Sequence, residues 1–287
     1  MRYSFVIATS IFLNIASGHG VVSSIQGANG VNMPGLSIRD GTPRNCDTPS
    51  CGAEQDTSII RDDELGSSKA TALGRTNGQG PVDASVMMAN FMGGVPAPSN
   101  PSNKLRRGLS SLLGGGSSTS GSSSTGTKAD TGVESSVAQS LGQGATSGLP
   151  TCSDDGSVTL TYRQINQDGA GPLTADVDAT SGGTDPSAFQ TAQVTQDVPG
   201  LGIGGLSAAT QTEFPVAVQM PAGMTCSGTV GNATNVCIVR VRNNALAGPF
   251  GGSAAFTMSS AAHKRAIEYQ MMKRAEEEGS FQARRLA

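Results

Sequence analysis

The chain is 287 residues long, enough for one ordinary domain or two small ones, with 19 Lys and Arg against 22 Asp and Glu. That slightly acidic balance, with a pI near 5.4, supplies no basic face for a phosphate backbone and argues against a nucleic-acid binder. With 39 Gly, 14 Pro, no Trp and 14% charged residues, the folded part reads as a mainly β, loop-rich protein and not as a helical bundle.

The first element in chain order is an export signal. Arg2, the apolar run from Phe5 to Ile15 and the small exit Ala16-Ser17-Gly18 give the order of a secretory signal peptide over residues 1–18, too short to span a bilayer stably. A buried amino-terminal strand would share the apolar run but leaves the small exit unexplained. No later stretch approaches spanning length, so the expected product is secreted, with no membrane anchor. Cleavage after Gly18 makes His19 the first mature residue. A terminal His offers an α-amine and an imidazole together, and so can chelate Cu(II), which favours nitrogen ligands in a square plane. This is half of a histidine brace. The only other histidine is His263 in the tail, and Asp168 or Gln164 are weaker stand-ins. The plain alternative is that His19 merely follows the cut.

All five cysteines lie beyond the leader, on an oxidising route where disulfides are the default. Cys226 and Cys237 bracket a turn-rich segment that brings hairpin arms together. Cys46 and Cys51 can close a small loop, or one of them pairs with Cys152, and every scheme leaves one thiol over. The spacings lack a CxxC pair with histidine partners, which disfavours zinc.

Between residues 103 and 148 the chain turns into Gly, Ser and Thr, which cannot bury enough apolar surface to offset ordering entropy and so reads as disordered, with helical turns near Val133 to Leu141. Each flank alone is small for an independent core, so this run is taken as an insertion within one β-sandwich spanning 19–258. Strands are expected at Ser157 to Ile165, Pro215 to Gln219 and Val236 to Arg242, the last with Arg240 and Arg242 pointing outward. Gln167 to Pro172 reads as a turn. Asp176, Asp178, Thr180 and Asp185 place oxygens that could hold Ca²⁺, but without EF-hand spacing a solvated turn is the simpler reading. Asn232-Ala233-Thr234 is an N-glycosylation acceptor. Residues 259–287 form a helix-prone tail, slightly basic beside an acidic body, in which Lys264-Arg265, Lys273-Arg274 and Arg284-Arg285 are candidate sites for a paired-basic processing protease. A solvated charged helix explains those pairs equally well.

Conventional hydrolysis fares poorly. No G-x-S-x-G elbow is present, and a Ser, His and acid triad would have to use His19 or His263. A carboxylate pair drawn from Asp154, Asp155, Asp168, Asp176 or Glu213 would lack the aromatic platforms sugar sites lean on, since only Tyr162 and several Phe serve the body.

Five ordered blocks carry a family resemblance: His19 to Leu36, Asp40-Gly41-Thr42-Pro43-Arg44, Gly74 to Val82, Asn166 to Pro172 and Ala247 to Gly252. Together they resemble the fungal Gas-type, appressorium-specific virulence factors, the Egh16-like proteins, over nearly the whole mature chain except the Ser/Gly run. The resemblance implies a secreted or appressorial protein that assists host penetration, with no catalytic residue to carry over. The mature His start also looks like that of lytic polysaccharide monooxygenases, although a second body histidine is missing. The expected fold is therefore an immunoglobulin-like or monooxygenase-like β-sandwich with long loops and a helical tail. The expected function is a non-catalytic interaction protein meeting a host surface or cell-wall polysaccharide. The alternative is a copper-dependent polysaccharide oxidase using His19.

Overall fold

The computed structural model describes residues 19–93, 126–128, 132–202 and 204–286. The expected leader and most of the Ser/Gly run lie outside the described residues. The body opens with β1 (Gly20–Gln26), on which β2 (Asn32–Pro34) folds back, followed by the short β3 (Ser58–Ile59), β4 (Arg75–Thr76) and β5 (Gly80–Pro81). Then comes α1 (Ala84–Phe91), where the Asp83 carboxylate accepts from the Ser85 amide and satisfies one of the helix's open donors. Next come β6 (Thr127–Lys128), α2 (Ser136–Gln139) and α3 (Gln143–Ser147). The longer strands follow: β7 (Ser157–Gln164), β8 (Thr174–Asp178), β9 (Phe189–Gln196), β10 (Thr212–Gln219), β11 (Gly228–Val230), β12 (Ala233–Arg242) and β13 (Phe250–Phe256), with α4 (Ser260–Leu286) closing the chain.

These strands make one mainly antiparallel sheet in the order β2-β1-β7-β10-β9-β8-β12-β13-β3-β4-β5, with β6 joined to β10 and β11 to β12. The sheet curls on itself. β9 carries the bend, since its pairing with β10 shifts register between Ala217 and Val218 while its other edge pairs with β8, and such irregularities let a sheet turn a corner. The curl lays β1 against β13, so close that a Cβ on Gly252 would stand 2.8 Å from the Val22 nitrogen. That approach explains why β13 is Phe-Gly-Gly-Ser-Ala-Ala-Phe and buried along its whole length. β10 shows the other pattern, with Phe214, Val216 and Val218 facing the core and every second residue half-buried.

Two disulfides join Cys46 to Cys51 and Cys226 to Cys237, the latter closing the β11–β12 hairpin, and the Cys152 thiol is free and buried. At the hairpin turn Gly231 takes φ +58, a left-handed conformation that suits glycine. The helical turns expected near Val133 to Leu141 are present as α2. One expectation is corrected. Arg240 does not point to solvent: it is 5% exposed, bonds the Ala72 carbonyl and Asp176, and lies over the Phe189 ring at 4.2 Å. Arg242 is partly covered, with Nη1 donating to the Ile60 carbonyl and to Asp62. β12 lies between β8 and β13 and is covered on both faces, so alternation along it does not separate core from solvent.

A buried charge cluster ties the later part of the insertion, around Gly132 and Glu134, to the body. Arg44, 2% exposed, donates through Nη1 to Asp56 at 3.0 Å and through Nε to Glu134 at 3.0 Å. Burial lowers the Arg44 tendency to hold its proton, but the two carboxylates more than reverse this and its pKa is raised. The Arg163 Nη2 caps the Arg44 carbonyl. Backbone bonds between Thr42 and Glu134, and from the Arg44 amide to the Gly132 carbonyl, complete the junction.

Candidate functional site

The antiparallel register of β1 and β7 sets Gly20 opposite Gln164, so the residue before β1 must meet the loop after β7. That residue is His19, and the loop begins at Ile165 and Asn166. The Ile165 amide donates to the His19 carbonyl at 2.9 Å, and the His19 main-chain nitrogen donates to Asn166 Oδ1 at 2.7 Å. Asn166 Nδ2 donates to Glu54 Oε1 at 3.0 Å, and the same oxygen stands 3.2 Å from His19 Nδ1. Phe250 stacks on the imidazole with ring centroids 4.3 Å apart. His19 is buried at 3% exposure and Glu54 at 7%. Burial pushes the Glu54 carboxyl up to about 7, with the Asn166 bond opposing it.

Glycines make this crowding possible. A Cβ on Gly169 would collide with the His19 carbonyl oxygen, and one on Gly20 with the Tyr162 hydroxyl. The Tyr162 hydroxyl is buried with no hydrogen-bond partner among the described residues, and burial, helped by the Asp197 charge, holds the phenol neutral. Asn243 braces the site from behind. Its Nδ2 donates to the Asp168 and Ala170 carbonyls, while its Oδ1 accepts from the Ala245 and Phe250 amides. The cluster thus presents two nitrogens of one residue to a carboxylate and a carboxamide, in a buried setting with an aromatic wall.

Three of the five blocks that carried the family resemblance, those containing His19, Asn166 to Pro172 and Ala247 to Gly252, contribute to this cluster. The model of the Egh16-like virulence factor family matches residues 17–251, a span from the His19 site through β12 into β13. The chain belongs to the Egh16-like family. It is 56% identical to the appressoria-specific virulence factor GAS2 of Pyricularia oryzae, over 96% of this chain and 95% of that protein. It is 28% identical to the appressoria-specific virulence factor GAS1 of the same fungus, over 88% of this chain and 76% of that one. No solved structure matches.

Within this Egh16-like chain the structure gathers some of the sequence-predicted residues and scatters others. His263 does not approach His19: it is exposed on the first turn of α4, beyond the Phe256 end of β13, while His19 stacks at the Phe250 end, roughly 20 Å away at ~3.3 Å per strand residue. Gln164 is fully buried, with its Nε2 donating to the Asn166 and Ala209 carbonyls and to Ser207. Asp168 shares the loop behind His19, and burial raises its carboxyl. Among the described residues no group of three or more His, Cys, Asp or Glu side chains is placed to hold a metal ion.

The possible calcium ligands each have separate work. Asp178 accepts from Thr180, Ser181 and Gly183, Asp176 pairs with Arg240, and Asp185 caps a short turn at Ser187. Of the possible glycosidase acids, Glu213 pairs with Arg163, while Asp154 and Asp155 share a groove below α4. Asn232 is exposed at the hairpin tip beside Gly231. No helix of the described residues is long and apolar enough to cross a membrane.

Sequence reading missed Glu54, Phe250 and the side-chain role of Asn166. Asn166 had a signal, since it opens the block after a predicted strand. Glu54 had none, because it is brought to His19 by the chain path between Cys51 and β3.

Proposed function

We propose that this protein is exported and works at the fungal or host surface as a virulence factor that assists appressorium-mediated penetration, with no turnover of its own. The names of its relatives support the virulence role. The observation that carries the non-catalytic part is that the one histidine of the body is committed to a buried clamp with Glu54, Asn166 and Phe250, while Asp176 and Glu213 of the candidate hydrolytic acids are held by Arg240 and Arg163. The partner is a cell-wall or host-surface polysaccharide, met through polar edges of the long loops, and Asn232 carries a glycan at the hairpin tip.

The test has two arms. Purified protein incubated with insoluble cellulose and chitin is expected to pellet with a polysaccharide and to release no sugar, as read by mass spectrometry of the supernatant. Release of oxidised or hydrolysed oligosaccharides sinks the non-catalytic reading. A deletion strain is expected to fail on intact host tissue and to recover on wounded tissue, and equal defects on both would argue against a role in breaching the surface.

One observation favours a second reading. The main-chain nitrogen and Nδ1 of His19 converge on the same Asn166–Glu54 pair, so cleavage after Gly18 would turn them into an amine and an imidazole facing a carboxylate. Such a donor set can hold Cu(II), and copper there would supply oxidative chemistry on a polysaccharide. Calorimetric titration of mature protein with Cu(II) should then give tight 1:1 binding that is lost in His19→Ala. Affinity at micromolar level or weaker rejects this reading.

A further inference from the structure

We propose that Lys273-Arg274, on the outer half of α4, is where an endoprotease specific for paired basic residues trims this chain, and that Lys264-Arg265 is not. Proteases act on opened, extended segments, so the rate of cutting within a helix follows the population that unwinds around the bond. The two pairs differ in what unwinding breaks. Around Lys264-Arg265, Ala262 and Ala266 are buried against the body, and Ser259 Oγ accepts from the Ala262 amide while bonding Asp154. Arg265 and Tyr269 line a groove of about 520 Å³ with Met220 and Met224. One turn further, Gln270 Nε2 donates to the Gly223 carbonyl at 2.6 Å. Opening the helix here dismantles its docking.

From Met271 to Glu278 every residue is exposed, and among the described side chains of this stretch none bonds the body. Met271 and Met272 are 64% and 60% exposed, so these two apolar side chains are not packed either. A helical end of this length without tertiary packing is marginal in water, and it unwinds without disturbing the docked half. The family match also ends at residue 251, before α4. The cut hydrolyses the Arg274–Ala275 bond: water adds across it, leaving a carboxylate on Arg274 and an amine on Ala275. Water is the only co-reactant. The proposal rests on the export reading, since the protease belongs to the secretory route.

Purified full-length protein digested with a purified endoprotease of this specificity, and followed by intact mass, is expected to lose Ala275–Ala287 first. Cutting after Arg274 should outrun cutting after Arg265 by more than about tenfold. Lys273→Ala with Arg274→Ala abolishes that product, and Lys264→Ala with Arg265→Ala leaves it. A first cut after Arg265, cutting confined to Arg285, or no cut under conditions that cleave a synthetic peptide of residues 269–279 overturns the proposal. In culture, extracellular protein ending at Arg274 supports it, and extracellular protein ending at Ala287 overturns it. Protein found only inside the cell overturns both export and trimming in the organism, and a digest that still cuts after Arg274 then identifies export as the step that failed.

Discussion

The two ends of β13 hand the chain to opposite environments. At the Phe250 end, an aromatic ring, a carboxylate, a carboxamide and an imidazole interlock out of water, and nearby Arg44, Asp56 and Glu134 do the same. At the Phe256 end the chain leaves the sheet, docks α4 from Ala262 to Gln270, and continues as a helix that is exposed from Met271 to Glu278. The contrast teaches that regular secondary structure says little about coupling: α4 is the longest element, yet its stretch from Met271 to Glu278 is exposed throughout, whereas the irregular segment from Glu54 to Asp56 contacts two separate buried clusters.

Substitutions can break this contrast, beginning with the largest effect. Asp56→Ala leaves the buried Arg44 guanidinium with Glu134 alone, and urea denaturation is expected to show a loss of about 3–5 kcal/mol. A loss below about 1 kcal/mol would mean the cluster is not holding that end. His19→Ala removes the stack on Phe250 and leaves Glu54 with Asn166 alone. The same measurement should give roughly 1–3 kcal/mol. If His19 is instead only the residue left by processing, the change falls within the noise.

Acid sharpens the comparison from another side. Burial pulls the Asp178 carboxyl up, but hydrogen bonds from Ser181, Thr180 and Gly183 outweigh it and leave the pKa below the ordinary 3.8. The carboxylate's contribution is therefore fully present above the unfolded value and is lost as pH falls through the folded one. Asp178→Asn should flatten stability against pH below about 4, as followed by thermal melting across a pH series, and an unchanged acid slope would contradict this. The smallest effect belongs to the outer helix. Removal of Ala275–Ala287 should shift stability by no more than about 0.5 kcal/mol, and a larger change would show that this half of α4 is packed after all.

Much of this was legible in the residues. Alternation at Val158, Leu160 and Tyr162 marked β7, the turn-rich spacing marked the Cys226–Cys237 hairpin, and the alanine-rich tail marked α4, because those signals are local. Arg240 misled because a strand with neighbours on both edges and cover on both faces accepts an arginine inside, once Asp176, the Ala72 carbonyl and the Phe189 ring receive it. The site was half legible. His19 stood out through its place after the expected leader, but Glu54 and Phe250 reach it only through the curl of the sheet, and no pattern within the chain records a curl.

The junction where the Ser/Gly run rejoins the body has an engineering use. Gly93 packs on Gly142 and Ala145, the Gly142 amide donates to the Asn90 carbonyl, and Gly132 and Glu134 are stitched to Thr42 and Arg44. Both flanking points are thus anchored by the fold itself, and each doubling in length of a flexible insert would add only about 0.6 kcal/mol of closure entropy. A fluorescent reporter or epitope spliced there would follow the protein through infection without asking the sheet to rearrange.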